Sequence, residues 1–229
     1  WAGAPSWTPV GIGALAGVSG GLGVVMLYAA LARGRMSVVA PITAALAGSL
    51  PVVFELSRGV RIAPTSLFAI ALAVVAIIIV SRAPSEGGES DADMRAALLL
   101  AVLSGVGFSG SYIAYSFTET ASGLWPLAGS RASSTLIMMA LALAYSRGLA
   151  LRRPGLLLAV SAGVLDTSAN VALVTAIQRG PLSIATVLAS LYPVATVLLA
   201  HFVLGERLTS VQRAGIALAF AAVVLASLG

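Results

Sequence analysis

The sequence contains little charge and lacks two residue types altogether. None of its 229 residues is cysteine or lysine, and histidine occurs once, as His201. Without cysteine the chain can form no disulfide, thiolate metal site, iron–sulfur cluster or cysteine nucleophile. A single histidine also excludes a metal site built on several histidines. We therefore expect neither a metal nor a cofactor.

Charged residues are too few to cover the surface of a soluble domain. They make up 9% of the chain, against about 25% in soluble proteins. The net charge of +5 comes from 13 arginines that are scattered at chain turns, so they do not form the basic stripe of a nucleic-acid-binding protein. The composition therefore argues against a soluble enzyme, a disordered chain and a nucleic-acid partner.

Apolar residues, in contrast, are abundant. They form 59% of the chain, and the mean hydropathy is +1.03. A helix needs about 20 apolar residues to cross a bilayer, and eight segments reach or approach that length. We therefore expect an all-α fold, a polytopic bundle of transmembrane helices in the plasma membrane or a bacterial inner membrane. The predicted spans are Val10–Leu31, Met36–Leu56, Thr65–Val80, Ala96–Phe117, Pro126–Tyr145, Gly155–Ile177, Leu182–Leu204 and Val211–Leu228.

The chain also contains an internal repeat. A gapless shift of 146 residues lays 14–81 over 160–227 and gives 17 identities at 68 positions. Many of these identities are Ala, Val or Leu, but glycine and arginine recur in register at two turns, which chance explains poorly. The matching turn residues are Arg33-Gly34 with Arg179-Gly180, Gly59 with Gly205, and Arg61 with Arg207.

The repeat predicts how the chain is organised. We expect a first repeat at 1–82, an acidic linker at 83–93 and a second repeat of five helices at 94–229. The first repeat shows only the last three helices, so by the same offset roughly 50 residues with two further helices are expected before Trp1. An odd number of helices per repeat makes successive repeats enter the membrane in opposite directions, as in many secondary transporters.

Three motifs carry a family resemblance. With the five-plus-five repeat, they resemble the EamA branch of the drug/metabolite transporter superfamily. The resemblance implies ten helices, a central cavity lined by both repeats, and export or exchange of small metabolites. By the same resemblance, the expected structural motif consists of Tyr192, Pro193, Glu206 and Arg207. The three motifs are Gln178-Arg179-Gly180-Pro181-Leu182-Ser183, Ser190-Leu191-Tyr192-Pro193-Val194 and Leu204-Gly205-Glu206-Arg207-Leu208.

Asp166 is the clearest candidate for a functional side chain, because it lies near the middle of a predicted span, where an ionisable group is costly. Asn170 follows at i+4 on the same helix face. The pair can bind a substrate amine, cycle a proton or simply join two helices. Arg131 can anchor an anionic group or neutralise Asp166, although snorkelling to the interface is the simpler interpretation.

Aromatic and hydroxyl side chains are further candidates for a cavity wall. Ser109, Tyr112 and Ser116 fall on one helical stripe, and Tyr28 lies within another span. Tyrosines suit a mixed polar and aromatic substrate, but core packing explains them equally well. Glu55 lies at a predicted membrane boundary and is the repeat counterpart of His201.

The leading functional hypothesis is a secondary transporter, an exporter of small metabolites such as amino acids or drug-like compounds that works by alternating access. The chain has no lysine for a phosphate loop, so a gradient would supply the energy. An intramembrane enzyme and a non-transporting membrane subunit remain as alternatives. We expect no enzymatic activity, because no second carboxylate shares the depth of Asp166. The expected partners are a small-molecule substrate, the lipid bilayer and a second copy in a homodimer.

Overall fold

The protein folds into α-helices throughout the part of the chain that is described. The computed structural model describes residues 7–34, 36–80, 91–145, 153–192, 194–195, 202 and 210–227. These residues contain no strand, which confirms the all-α prediction, and one short 3₁₀ helix at Thr120–Ser122. The helices are α1 Trp7–Leu31, α2 Met36–Ser57, α3 Pro64–Val80, α4 Asp91–Tyr115, α5 Trp125–Tyr145, α6 Arg153–Arg179, α7 Leu182–Ala189 and α8 Ser210–Ser227.

Most helix ends agree with the predicted spans to within three residues. The largest difference is the end of α7, which lies at Ala189 and not at the predicted Leu204, because a turn at Ser190 and Leu191 ends the helix. The other exception is α4. It begins at Asp91, five residues before the predicted Ala96, because the acidic Asp93 suits the first turn of a helix. It ends at Tyr115 rather than Phe117, where the hydroxyls of Ser116 and Thr118 donate to carbonyls three residues earlier.

The turn between α2 and α3 requires the glycine that both repeats have at this position. Gly59, between α2 and α3, has a φ of 76°. This left-handed conformation costs glycine little because it lacks a Cβ atom. Its counterpart Gly205 lies outside the described residues, as do Pro193, His201, Glu206 and Arg207.

Four of the described helices are long and apolar enough to cross a membrane. They correspond to α1, α4, α5 and α6, as Trp7–Leu31, Asp93–Tyr115, Trp125–Tyr145 and Gly155–Arg179. Shorter apolar stretches lie in α2, α3 and α8. Large apolar side chains also point outward over much of the molecule, including Leu15, Leu99 and Leu157. A surface of this kind is stable in lipid and not in water, so the fold is that of a membrane protein.

Small residues bring α1 close to α5. A Cβ atom on Gly13 would overlap the backbone of Pro126, and one on Gly17 would overlap the carbonyl oxygen of Ser130. The hydroxyl of Ser133 donates to the carbonyl oxygen of Ala14 at 2.9 Å. The glycine spacing on α1 thus serves close helix packing.

The contact between α1 and α4 is equally close and is fixed by two reciprocal hydrogen bonds. Ser19 of α1 donates to the carbonyl oxygen of Gly107, and Ser104 of α4 donates to that of Gly23, both at 2.8 Å. Backbone carbonyls accept these bonds without disturbing either helix, because a carbonyl oxygen has a second lone pair.

A second group of helices packs around α2. The apolar side chains of Val52, Ala73, Val187 and Ala222 bury one another and so join α2, α3, α7 and α8. The longest of the helices, α6, packs near its C-terminal end, where Val174 and Ile177 share a buried cluster with Tyr115 and Leu182, but only 6% of its membrane-length stretch is buried. One side of α6 is therefore open.

Candidate functional site

A cavity of about 610 Å³ lies where α1, α4, α5, α6 and α7 converge. Its wall is mostly small and apolar, with one aromatic side and one charged side. Small residues of α1 form part of this wall. They leave space for the cavity because they have almost no side-chain volume. The lining residues are Gly17, Gly20 and Val24 of α1, Phe108, Ser111, Tyr112 and Tyr115 of α4, Ser130, Arg131 and Ser134 of α5, Asp166, Ala169, Asn170, Ala172, Leu173 and Ala176 of α6, and Ala185, Leu188 and Ala189 of α7.

An ion pair forms the charged side of this cavity. Nη1 of Arg131 lies 2.7 Å from Oδ2 of Asp166, and Nη2 donates to the backbone oxygen of the same aspartate at 3.4 Å. Arg131 thus turns towards α6 and neutralises Asp166, and this geometry does not correspond to snorkelling. The side chain of Asp166 is 60% exposed, so its carboxylate faces the open space of the cavity.

Asn170 lies one turn after Asp166 and extends the polar patch, as the i+4 spacing predicted. Its Nδ2 donates to the backbone oxygen of Asp166 at 2.8 Å and approaches Oδ1 at 3.3 Å. The amide therefore holds the carboxylate in place but forms only a long hydrogen bond with it.

The aromatic side of the cavity comes from α4. Tyr112 lines it, together with Phe108 and the almost fully buried Tyr115. The other predicted wall residues lie elsewhere. Ser109 is buried against α2 and donates to the carbonyl oxygen of Leu46, and Tyr28 is 68% exposed on α1. Ser109 and Tyr112 of the predicted stripe both lie on α4 but meet different neighbours, and Ser116 follows the end of the helix.

Hydroxyl groups on the cavity wall escaped the sequence prediction. Ser130 and Ser134 flank Arg131 on α5, and Ser111 precedes Tyr112 on α4. The i, i+4 spacing of Ser130 and Ser134 beside an arginine inside a span was the available signal. Serine is so common in small-residue helix contacts that this signal is weak without the neighbouring helix.

A polar network joins four segments at one end of the bundle. The carboxylate of Glu55, near the end of α2, accepts the N–H groups of Leu182 and Ser183 at 2.9 and 2.8 Å. Gln178, near the end of α6, donates to the hydroxyl of Thr118 and to the carbonyl oxygen of Gly123, each at 3.2 Å. Glu55 thus caps α7, whose own N-cap residue Pro181 offers no side-chain acceptor.

Of the four structural-motif residues, the structure describes only the contacts of Tyr192. Its hydroxyl donates to the carbonyl oxygen of Ala40 at 3.1 Å and so links the segment after α7 to α2. Tyr192 therefore acts as a helix–helix tie. Within the described ranges, no three His, Cys, Asp or Glu side chains are grouped as metal ligands would be.

The fold and the cavity together define a helical membrane protein with a polar site inside the bundle. Residues 95–228, more than half of the chain, match the EamA-like transporter family. The protein belongs to this family of membrane transporters, which confirms the resemblance seen in the motifs. Membership is also consistent with a protein that is not an enzyme.

Known structures support the same fold. A solved structure described as "Crystal structure of protein" has a TM-score of 0.79 and 18% sequence identity, and the match covers 98% of this chain and 77% of that chain. At this identity the likeness concerns the fold alone. A search of curated proteins gives no match.

Proposed function

We propose that this protein is a secondary transporter that exports small metabolites by alternating access around the cavity between α1, α4, α5, α6 and α7. The observation that carries the proposal is a cavity of about 610 Å³ between the helices, which contains the Arg131–Asp166 ion pair. Intramembrane charges are costly and usually belong to a substrate or ion pathway. The volume suits a small organic molecule. The proposed location is a multi-pass position in the plasma membrane or a bacterial inner membrane.

The proposal includes a five-plus-five inverted repeat, in which α1 and α6 are counterparts. α1 packs against α4 and α5, the two helices that open the second repeat. Gly17 of α1 meets the backbone of α5, whereas its counterpart Gly163 on α6 has no atom within 4 Å of its Cβ position. A groove along Val160, Gly163, Thr167 and Val171 runs over this open side. We propose that two further helices of the first repeat cover it.

Cysteine cross-linking tests this arrangement, because the chain has no cysteine of its own. In the full-length gene product, Gly163→Cys is expected to cross-link to a cysteine in a helix of the first repeat that precedes α1. Gly11→Cys serves as the control, because Gly11 is equally open but lies on α1, outside the groove that these helices are proposed to cover. Cross-links between two copies of the chain would instead make this groove a homodimer interface.

Alternating access is tested by labelling the cavity from both sides of the membrane. Ser134 lines the cavity, and Ala32 lies exposed at the turn after α1. In sealed vesicles of either orientation, a membrane-impermeant thiol reagent should label Ser134→Cys from both sides and Ala32→Cys from one side. Labelling of Ser134→Cys from only one side, or from neither, would favour a non-transporting membrane subunit.

An intramembrane enzyme is the weaker candidate. Among the described residues that line the cavity, Asp166 is the only carboxylate, and it is already paired with an arginine. Acid–base chemistry on a substrate usually requires a second titratable group or a nucleophile with its base. The wall offers serines, but none of them has a histidine or carboxylate partner among the described contacts.

A further inference from the structure

We infer that a second cavity, at the end of α6, binds the headgroup of phosphatidylglycerol, an anionic membrane phospholipid. This cavity, here called the headgroup pocket, has a volume of about 530 Å³ and lies between α6 and the connection from α4 to α5. Of the residues that line it, only Ala172 also lines the cavity with the ion pair. The inference therefore does not depend on the proposed transport function.

The headgroup pocket changes from polar to apolar along α6. Arg179 is the last residue of α6, and Gln178 precedes it. Val171 lies eight residues earlier, which places it about 12 Å deeper at a rise of about 1.5 Å per residue. At this depth Val171 and Ala172 form the wall. The order matches that of a phospholipid, whose charged headgroup lies at the membrane surface and whose acyl chains lie in the hydrocarbon.

Arg179 gives the headgroup pocket a positive charge. No acidic residue lines the pocket among the described residues, and within those residues the Arg179 side chain forms no ion pair or hydrogen bond. A guanidinium has five N–H donors, and its planar edge binds two oxygens of a phosphate group at once. Anionic lipids also attract arginine to the membrane surface through their negative potential. The expected ligand group at Arg179 is therefore a phosphate.

The neutral polar groups of the pocket have free acceptors and few free donors. The hydroxyl of Thr120 already donates to the carbonyl oxygen of Gln178 at 2.9 Å. Nε2 of Gln178 already donates to Thr118 and Gly123. The oxygens Oγ1 of Thr120 and Oε1 of Gln178 can therefore accept bonds from a ligand.

These acceptors favour glycerol over the other common headgroups. The glycerol headgroup of phosphatidylglycerol has two hydroxyls that can donate to such oxygens. The ammonium group of phosphatidylethanolamine would instead bring a second positive charge close to Arg179, where like charges repel. The choline group of phosphatidylcholine has no N–H or O–H donor. Phosphatidylglycerol is therefore the lipid that satisfies both the arginine and the acceptors.

The two helices proposed to cover α6 would leave the headgroup pocket accessible. Arg33 of α1 is the repeat counterpart of Arg179 of α6. Although α1 packs against both helices that open the second repeat, Arg33 is exposed, and it donates to the carbonyl oxygen of Ala29 in its own segment. If the first repeat packs against α6 in the same way, Arg179 also stays exposed to lipid.

Short-chain lipids test the inference in an uncharged detergent. The full-length gene product is titrated with the dioctanoyl forms of phosphatidylglycerol, phosphatidylcholine and phosphatidylethanolamine, and with glycerophosphoglycerol and inorganic phosphate. Thermal unfolding gives each Kd, because a ligand that binds only the folded protein stabilises it. Phosphatidylglycerol should bind about tenfold more tightly than either zwitterionic lipid, because charge-assisted hydrogen bonds are roughly twice as strong as neutral ones. The two soluble anions should bind at least about tenfold more weakly than phosphatidylglycerol, because they bury no acyl chain.

Variants of one arginine locate the site. Arg179→Gln should reduce the affinity for phosphatidylglycerol to that for phosphatidylcholine and leave phosphatidylcholine unchanged. Arg179→Lys keeps the charge but not the planar donor edge, so its affinity for phosphatidylglycerol should lie between those of the unmodified protein and Arg179→Gln. Arg61→Gln is the matched control. It removes the same charge at the same end of the bundle, but Arg61 is exposed between α2 and α3 and does not line the pocket.

The other outcomes would overturn the inference. Equal affinity for phosphatidylglycerol and phosphatidylcholine, or tighter binding of phosphatidylethanolamine, would contradict the headgroup assignment. Equal losses in Arg179→Gln and Arg61→Gln would indicate attraction to the overall charge of the protein and no specific pocket. Binding of glycerophosphoglycerol or inorganic phosphate as tight as that of phosphatidylglycerol would make this a site for a soluble anion. Labelling of Ser134→Cys tests transport separately, whichever lipid binds.

Discussion

At the residue scale, Glu55 joins two helices that lie far apart in the sequence. It caps a helix 127 residues later in the sequence through both carboxylate oxygens. We expect Glu55→Ala to lower the free energy of unfolding by about 1–2 kcal/mol, because the first N–H groups of α7 lose their acceptor and the helix dipole loses a negative partner. Thermal unfolding in detergent measures the change.

The control for this prediction is another glutamate near the same end of the bundle. Glu119 is the N-cap residue of the 3₁₀ turn but makes no side-chain capping bond. Glu119→Ala should therefore shift the melting temperature by less than Glu55→Ala. Equal shifts for the two variants would show that the Glu55 contacts contribute nothing specific.

The ion pair allows a second prediction at this scale, through a double-mutant cycle. Asp166→Asn and Arg131→Gln should each destabilise the protein, because each leaves the other charge without its partner. The double variant should be more stable than the sum of the two effects predicts, with an interaction energy of about 0.5–3 kcal/mol. Unfolding of the four proteins in one detergent provides the measurement, and strict additivity would contradict a coupled pair.

These residues also indicate how far the sequence could predict the site. Asp166 was identifiable because an acid in the middle of a span is rare, and Asn170 followed from helix geometry. The partner could not be chosen, because Arg131 lies near a helix end, where snorkelling is equally reasonable. Ser109 and Tyr28 were placed on correct helices, but periodicity gives a face and does not give the neighbour that this face meets.

At the element scale, the contact between α1 and α5 depends on glycine. Replacing single glycines of α1 by alanine distinguishes those that the contact requires from those that it does not. Gly11→Ala should be neutral or slightly stabilising, because the Cβ position is open and alanine favours a helix by about 1 kcal/mol. Gly13→Ala should instead reduce the yield of monodisperse protein, because its Cβ atom would overlap the backbone of Pro126. Size-exclusion chromatography of matched preparations compares them, and equal behaviour would contradict close packing at Gly13.

The helices themselves were largely predictable, and their arrangement was not. Apolar runs of about 20 residues leave few alternatives to a helix, because a bilayer satisfies no backbone polar groups. The ends of α4 differ from the prediction because local side chains, such as Asp93 and Ser116, influence where a helix begins and ends. The position of α1 between α4 and α5 arises from pairwise contacts, such as Ser19 with Gly107, that no single-helix pattern contains.

At the scale of the whole molecule, the polar network around Gln178 is expected to bias the direction from which the cavity opens. A carrier that opens to the two sides of the membrane in turn must break contacts at each end of the helix bundle. A ligand or a mutation shifts the equilibrium between these two conformations only if it stabilises one of them more than the other. Gln178 joins the end of α6 to the segment between α4 and α5 through two hydrogen bonds. Their net contribution is about 0.5–1.5 kcal/mol each.

Removing this contact should therefore shift the balance towards opening at that end. In the Ser134→Cys background, Gln178→Ala should raise the labelling rate severalfold from the end where Ser57 and Thr120 lie, and lower it from the opposite end. Thr175→Ala is the control, because the Thr175 hydroxyl bonds only within α6, to the carbonyl oxygen of Val171. If both variants label Ser134→Cys at the unmodified rate from both sides, the network does not close this end, and the barrier to access lies elsewhere in the bundle.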